Sequence, residues 1–231
     1  MLRAVADDLA EFGPFFVVAV HDSVDEPWSA MRALVDDPQV LAARIGRVRA
    51  ALAAGGGRDP EQIDFRVAAS VTHLGLTARL LAPMIGAGAL GRPETWSLDD
   101  LVWQDELGGP YPLSIACEPT VGAAPVQAIT DAFGRFGVSR KVLWGNVGSA
   151  ANSAAGQIAR ARPELSGVAH EAADAVLADP RVDGGGLQSG SGFRRQSCCL
   201  IYQLADDRAT CCGDCVLLTP AAVDRTPDAQ C

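Results

Sequence analysis

Six of the seven cysteines fall in the last forty residues, and four of them form a pattern that obliges the fold to gather them. The run reads Phe193-Arg-Arg-Gln-Ser-Cys198-Cys199, then twelve residues, then Cys212-Gly213-Asp214-Cys215. Two adjacent thiols followed by a C-x-x-C pair supply four thiolates, the number that a [2Fe–2S] or [4Fe–4S] centre takes. An all-cysteine zinc site takes the same number, but it usually draws its ligands as two C-x2–4-C pairs so that each pair chelates the ion. Adjacent cysteines chelate one small ion poorly, so the spacing favours a cluster over zinc. Extended backbone at Cys198-Cys199 sends the two sulfurs to opposite faces, suiting two irons, or one iron only after a local bend. Gly213 gives the C-x-x-C turn its backbone freedom. Cys211 adjoins Cys212 and competes with it as ligand, although only Cys212 stands two residues before a second cysteine of the pair. Cys117 reads as a small buried hydrophobe and Cys231 as a loose terminal thiol.

The odd cysteine count argues against a closed disulfide framework, and neighbouring cysteines rarely bridge each other. Metal ligation in a reducing compartment fits better. At 231 residues the chain buries a full core without staples. No leader is expected, because Asp7, Asp8 and Glu11 precede the apolar stretch 12–20. No membrane span is expected either, since the longest uncharged run, 142–159, carries Asn146, Ser149, Asn152, Ser153 and Gln157. The expected location is cytoplasmic. A net charge of −9 argues against sequence-independent binding to nucleic acid.

Apolar residues recur at helical spacing over most of the chain. Asp37-Pro38 predicts a helix start, with Val40, Leu41, Ile45, Val48 and Leu52 on one face and Gly55–Gly57 at the end. Asp59-Pro60 with Gln62 repeats the start signal and introduces a central core helix running to about Leu81. Further helices are expected at 125–135, 139–161 and 164–178. Strands are expected at 15–20, and at 101–104 and 112–116 as a hairpin across Gly108-Gly109-Pro110. The glycine-rich stretch 183–192 reads as a flexible hinge, dividing a helical body, 1–186, from a cysteine-bearing segment, 187–231. Between the cysteine pairs, 200–204 reads as a strand and 205–208 as a turn. The fold class is α+β, predominantly helical, with a small C-terminal cluster-binding segment.

The stretch from Phe193 through Cys198-Cys199-Leu-Ile-Tyr-Gln-Leu to Cys212-Gly-Asp-Cys215-Val-Leu resembles the C-terminal iron–sulfur segment of the FhuF-like ferric-siderophore reductases. That family holds a [2Fe–2S] cluster through C-C-x10-C-x2-C. A weaker likeness to actinobacterial-type members covers Arg66-Val-Ala-Ala-Ser-Val-Thr-His73 to Arg79-Leu and Leu143-Trp144-Gly145-Asn146. Here twelve residues, not ten, separate the pairs, which widens the turn near Asp206-Asp207 and leaves Cys211 in play.

The resemblance implies one-electron reduction of ferric iron in a siderophore complex, with release of Fe²⁺ in the cytoplasm. Hard oxygen donors hold Fe³⁺ far better than Fe²⁺, so reduction loosens the chelate. It also implies Cys198, Cys199, Cys212 and Cys215 as ligands, a ferric siderophore as substrate, and peripheral contact with an uptake system. Two ferric irons, two sulfides and four thiolates sum to a dianion. Arg194 and Arg195 could compensate that charge, grip an anionic siderophore, or simply be solvated. His73, Arg79, Trp144 and Asn146 are further candidates for siderophore contact or for the cluster's surroundings; the plainer reading of His73 and Trp144 is core packing. The glycines of 86–91 match G-x-G-x-x-G, but they follow a helix rather than a strand, so the dinucleotide reading fails and a separate donor, a ferredoxin or flavoprotein, is expected. Two other readings stay open: a siderophore-handling protein with structural zinc, and a cluster protein that only relays electrons.

Overall fold

Helical periodicity without long alternating stretches should give a bundle with little sheet, and the computed structural model, which describes residues 2–204 and 212–217, has that form. Among these residues the helices are α1 (Leu2–Ala10), α2 (Ala33–Asp36), α3 (Pro38–Gly55), α4 (Phe65–Ala89), α5 (Pro125–Phe133), α6 (Arg140–Ala161) and α7 (Ser166–Leu177). Four short strands, β1 (Ala19–His21), β2 (Ser29–Ala30), β3 (Leu101–Trp103) and β4 (Leu113–Ala116), form one sheet in the order β1-β4-β3-β2. No helix among the described residues is long and apolar enough to cross a membrane.

The helix starts follow their caps. Asp37 accepts from the Gln39 amide at 2.8 Å and Pro38 occupies the first turn of α3. Ser139 accepts from the Val142 amide at 3.3 Å to open α6. The Asp59-Pro60 signal behaves differently: its capping box with Gln62 closes only a 3-10 turn, Pro60–Gln62, and Asp64 caps the long helix instead. α4 also runs eight residues past the expected end at Leu81, through Pro83 and over Gly86 and Gly88. Burial explains the extension. α4 is enclosed by α3, α5, α6 and α7, so apolar packing along its length outweighs the hydrogen bond lost at Pro83. Gly86 lies where α1 crosses, facing Leu9, Phe12 and Phe16, and therefore belongs to a helix contact rather than a nucleotide loop.

The sheet is smaller than expected at its first strand. Only 19–21 pairs, parallel to β4 with Ala19 opposite Ser114, while Phe12 and Phe16 turn into the core edge-to-face at 5.4 Å. The 101–116 hairpin forms as anticipated, Trp103 opposite Leu113. α1 and the short α2 were not foreseen; α1 is recognisable only by the burial of Val5 and Leu9 against the body.

The stretch 183–192, expected to hinge, is fastened to the helices. The Ser189 amide donates to Asp174 at 2.7 Å, and the Gly190 amide to Asn152 on α6 at 2.7 Å. Phe193 then enters the main core. Glycine composition made this segment look loose, but its positive φ angles at Gly184, Gly185 and Gly190 serve a specific path.

Candidate metal centre

Phe193 and Arg195 are buried against the helices, and the chain between them and Leu204 folds over α4 and α6. The expected strand at 200–204 is a 3-10 turn, Ile201–Leu204. A strand there would need a ladder partner. Instead Leu200 and Leu204, four residues apart, pack on a small apolar patch of Ala53, Ile63 and Val67 between α3 and α4. Leu200 takes φ 71, a left-handed conformation rare for a side chain of its size. That bend directly follows Cys199 and turns the Leu200 amide back to the Cys198 sulfur at 3.3 Å.

Four of the cysteines meet here. The Cys199 and Cys212 sulfurs stand 3.7 Å apart. Two thiolates on one tetrahedral metal with bonds of about 2.3 Å are separated by about 3.8 Å. Cys199 and Cys215 are buried, and Cys198 and Cys212 partly so. Backbone amides point at the sulfurs: Leu200 at Cys198, Ile201 at Cys199, and Leu217 at Cys215, the last at 3.4 Å. The Cys212 thiol donates to Cys199 and holds it well below the usual thiol range, with the Ile201 amide and the Arg195 charge adding to the effect. Burial, with Cys199 and Cys215 nearby, pushes Cys198 up. Amides aimed at sulfur and a guanidinium beside it suit anionic sulfur, so this donor set fits a cluster held by thiolates. Among the described residues, no three Cys, His, Asp or Glu groups converge tightly enough for a single ion. Cys117 is exposed, where it bonds Asp22, and not the buried hydrophobe expected. Its position just past the end of β4 leaves it outside the core. Cys211, Cys231 and the turn near Asp206-Asp207 lie outside the described residues.

Beneath the thiols runs a buried polar chain. Arg195, 1 % exposed, donates from Nε to the Ser197 carbonyl at 2.6 Å. Its Nη2 donates to Asn146 Oδ1 at 2.7 Å and to the Val142 carbonyl at 3.3 Å. Asn146 donates from Nδ2 to the Ser70 carbonyl at 3.1 Å and faces His73 Nδ1 at 3.4 Å. Ser70 Oγ donates to the Cys199 carbonyl at 2.8 Å. Thr130 donates its own proton to the Val126 carbonyl, so its Oγ1 accepts from His73 Nε2 at 3.0 Å. His73 is therefore neutral with its proton on Nε2. Complete burial, and secondarily the Arg195 charge, lower its pKa to about 3. The approach of this loop to α6 requires Gly145, where a Cβ would overlap Ser197 Oγ.

The structure thus joins Arg195, His73 and Asn146 to the cysteine segment, places Trp144 in a pocket that Gln196 of that segment also lines, and separates Arg79. Arg194 is only partly buried and bonds the neighbouring Phe193 carbonyl at 2.8 Å. Arg79 donates to the carbonyls of Tyr111, Phe15 and Val17, none of them in the cysteine segment, and burial lowers its pKa to about 10. Trp144 lines an open pocket of about 430 Å³ with Arg140, Lys141, Arg181, Asp183 and Gln196. Arg181 stacks on the Trp144 ring at 4.1 Å, and the buried indole N–H has no partner. Ser70, Thr130 and Ser197 were missed from sequence. Ser70 and His73, three apart on an apolar helix, were the available sign of a polar contact across it.

The family model of the FhuF 2Fe-2S C-terminal domain matches residues 195–217. No curated protein and no solved structure gives a significant match to the chain. The matched residues span the four clustered thiols together with Arg195, and the fold is a helical α+β body carrying that segment. The cofactor is a [2Fe–2S] cluster, carried by a C-terminal segment similar to the FhuF 2Fe-2S domain.

Proposed function

We propose that the protein reduces ferric iron held by a siderophore, one electron at a time, and so releases it as Fe²⁺. The observation that carries this reading is the match of residues 195–217 to the FhuF [2Fe–2S] domain, with Cys198, Cys199, Cys212 and Cys215 all inside it. The bound cluster supplies the single-electron chemistry. Cys198, Cys199, Cys212 and Cys215 would hold it, and the sulfur contact between Cys199 and Cys212 would suit these two to a shared iron. The amides of Leu200, Ile201 and Leu217 spread the negative charge of their sulfurs.

The pocket beside Trp144 is the seat for the chelate. Gln196 lies both in its wall and two residues before Cys198, so a chelate there is near the thiols. The Lys141 ammonium and the Arg140 guanidinium in its wall offer donors to the chelate's outer oxygens. Leu200 and Leu204 cover one side of the cysteine loop and limit water there. The electron comes from a separate ferredoxin or flavoprotein, because the Gly86–Gly91 stretch is occupied by helix packing. The reaction is placed in the cytoplasm, where thiols stay reduced.

Anaerobically purified protein should show visible absorption that bleaches on chemical reduction and returns when a ferric siderophore is added. A colourless protein carrying zinc would contradict the reading. A coloured protein that no ferric chelate re-oxidises would make it a relay.

A further inference from the structure

Arg195 is a buried cation whose partners are all neutral. Its guanidinium bonds the carbonyls of Ser197 and Val142 and the Asn146 amide oxygen, and Nη1 has no partner. Among the described residues no carboxylate pairs with it. Asp214, the acid nearest in the segment, offers Arg195 its backbone carbonyl, which accepts the Arg195 amide at 3.2 Å. His73, on the far side of Asn146, is neutral. A charge taken out of water without an opposite charge is strongly disfavoured, and folds rarely retain one. What Arg195 is fastened to instead is the thiol loop: its Nε bonds the carbonyl of Ser197, the residue before Cys198, and its amide bonds the carbonyl of Asp214, between Cys212 and Cys215.

We propose that Arg195 is the built-in counter-charge of the cluster, clamped by Asn146, and that it raises the reduction potential while completing the electrostatics of the folded chain. A [2Fe–2S] centre on four thiolates is a dianion and becomes a trianion on taking up one electron. A fixed cation nearby favours both states, and the more negative reduced state more. The guanidinium suits the task because its planar fork carries the charge while bonding several fixed acceptors at once. A purely structural clasp between this segment and α6 would need donors but no charge, and a neutral side chain would serve. This proposal rests on the cluster and not on which acceptor takes the electron.

The test is an equilibrium redox titration of the holoprotein with Arg195→Gln, Arg195→Lys and Arg194→Gln, together with thermal unfolding of each as holo- and apo-protein. At a fixed solution potential, Arg195→Gln should lower the reduced-to-oxidised ratio tenfold or more, which is 59 mV for a one-electron couple. Arg195→Lys should stay within threefold of the parent, and Arg194→Gln, with its partly exposed side chain, within twofold. Arg195→Gln should lower the unfolding temperature of holoprotein but not of apoprotein, since it removes an uncompensated charge from the latter. An unchanged potential in Arg195→Gln, or equal destabilisation of the holo and apo forms, would overturn the proposal. Should the Gln variant bind no cluster, the apoprotein arm decides: an apo variant less stable than the apo parent contradicts the counter-charge role.

Discussion

At the scale of single residues, the thiols carry the chemistry and their order in the chain conceals their partnership. Adjacent cysteines send their sulfurs to different sides, and the sulfur contact runs from Cys199 to Cys212 across the loop. Serine at Cys198, Cys199, Cys212 or Cys215 should bleach the protein or strongly alter its spectrum, whereas serine at Cys117, Cys211 or Cys231 should leave the colour intact. The pairing has its own signature. With Cys199 and Cys212 both changed to Ser, Mössbauer spectra of the oxidised protein should show two dissimilar irons, one rich in oxygen ligands. With Cys198 and Cys199 changed, the irons should be alike, and the reverse pattern would mean that the adjacent cysteines share an iron. The four ligand candidates were legible because C-C and C-x-x-C are local patterns. The polar chain beneath them was not. Arg195 and Asn146 are 49 positions apart, and Asn146 and His73 are 73 apart. Each was visible as a candidate, but only the packing of α4 on α6 makes them one network. Arg194 and Arg195 looked interchangeable in sequence, and the local path after Phe193 separates them.

At the scale of elements, α4 and α6 form the floor on which the cysteine segment rests, and small residues set its height. Gly145→Ala would push a methyl group into Ser197. Overpacking of this kind costs about 1–3 kcal/mol, and iron content per chain should fall with it. Gly156→Ala, elsewhere on α6 with only the end of the Arg160 side chain near its Cβ, should instead stabilise the helix by up to about 1 kcal/mol. Equal effects of the two would show that the approach at Gly145 does not matter. His73 gives α4 a pH signature. Its folded pKa of about 3 lies below the ordinary 6.5. Its contribution is complete above pH 6.5 and is lost as pH falls toward 3, because only the unfolded chain takes up the proton in that window. Between pH 6.5 and 5 the parent should lose about 1.6 kcal/mol relative to His73→Gln, the slope approaching about 1.4 kcal/mol per pH unit only below pH 6. Parallel urea-unfolding curves for the two across that range would contradict the assignment. Helix starts marked by Asp37-Pro38 and Ser139 were readable, since capping is local chemistry. The true end of α4 was not, because tertiary enclosure carries it past Pro83.

At the scale of the whole molecule, the thiol-rich segment on its helical body is what the proposed single-electron role requires. The chain carries net charge −9, and its G-x-G-x-x-G stretch is built into the α1–α4 contact. NADH or NADPH alone should therefore drive no turnover with purified protein and ferric siderophore, and rapid turnover would show a nucleotide site elsewhere. The central claim couples electron transfer to iron release, because Fe²⁺ binds hard oxygen chelators far more weakly than Fe³⁺. It is tested most directly by mixing chemically reduced protein, free of excess reductant, with ferric siderophore and a ferrous trap under anaerobic conditions. The account predicts re-oxidation of the protein with about one trapped Fe²⁺ per cluster, since a [2Fe–2S] centre cycles one electron. Protein that stays reduced, or re-oxidises without delivering Fe²⁺ to the trap, would contradict it.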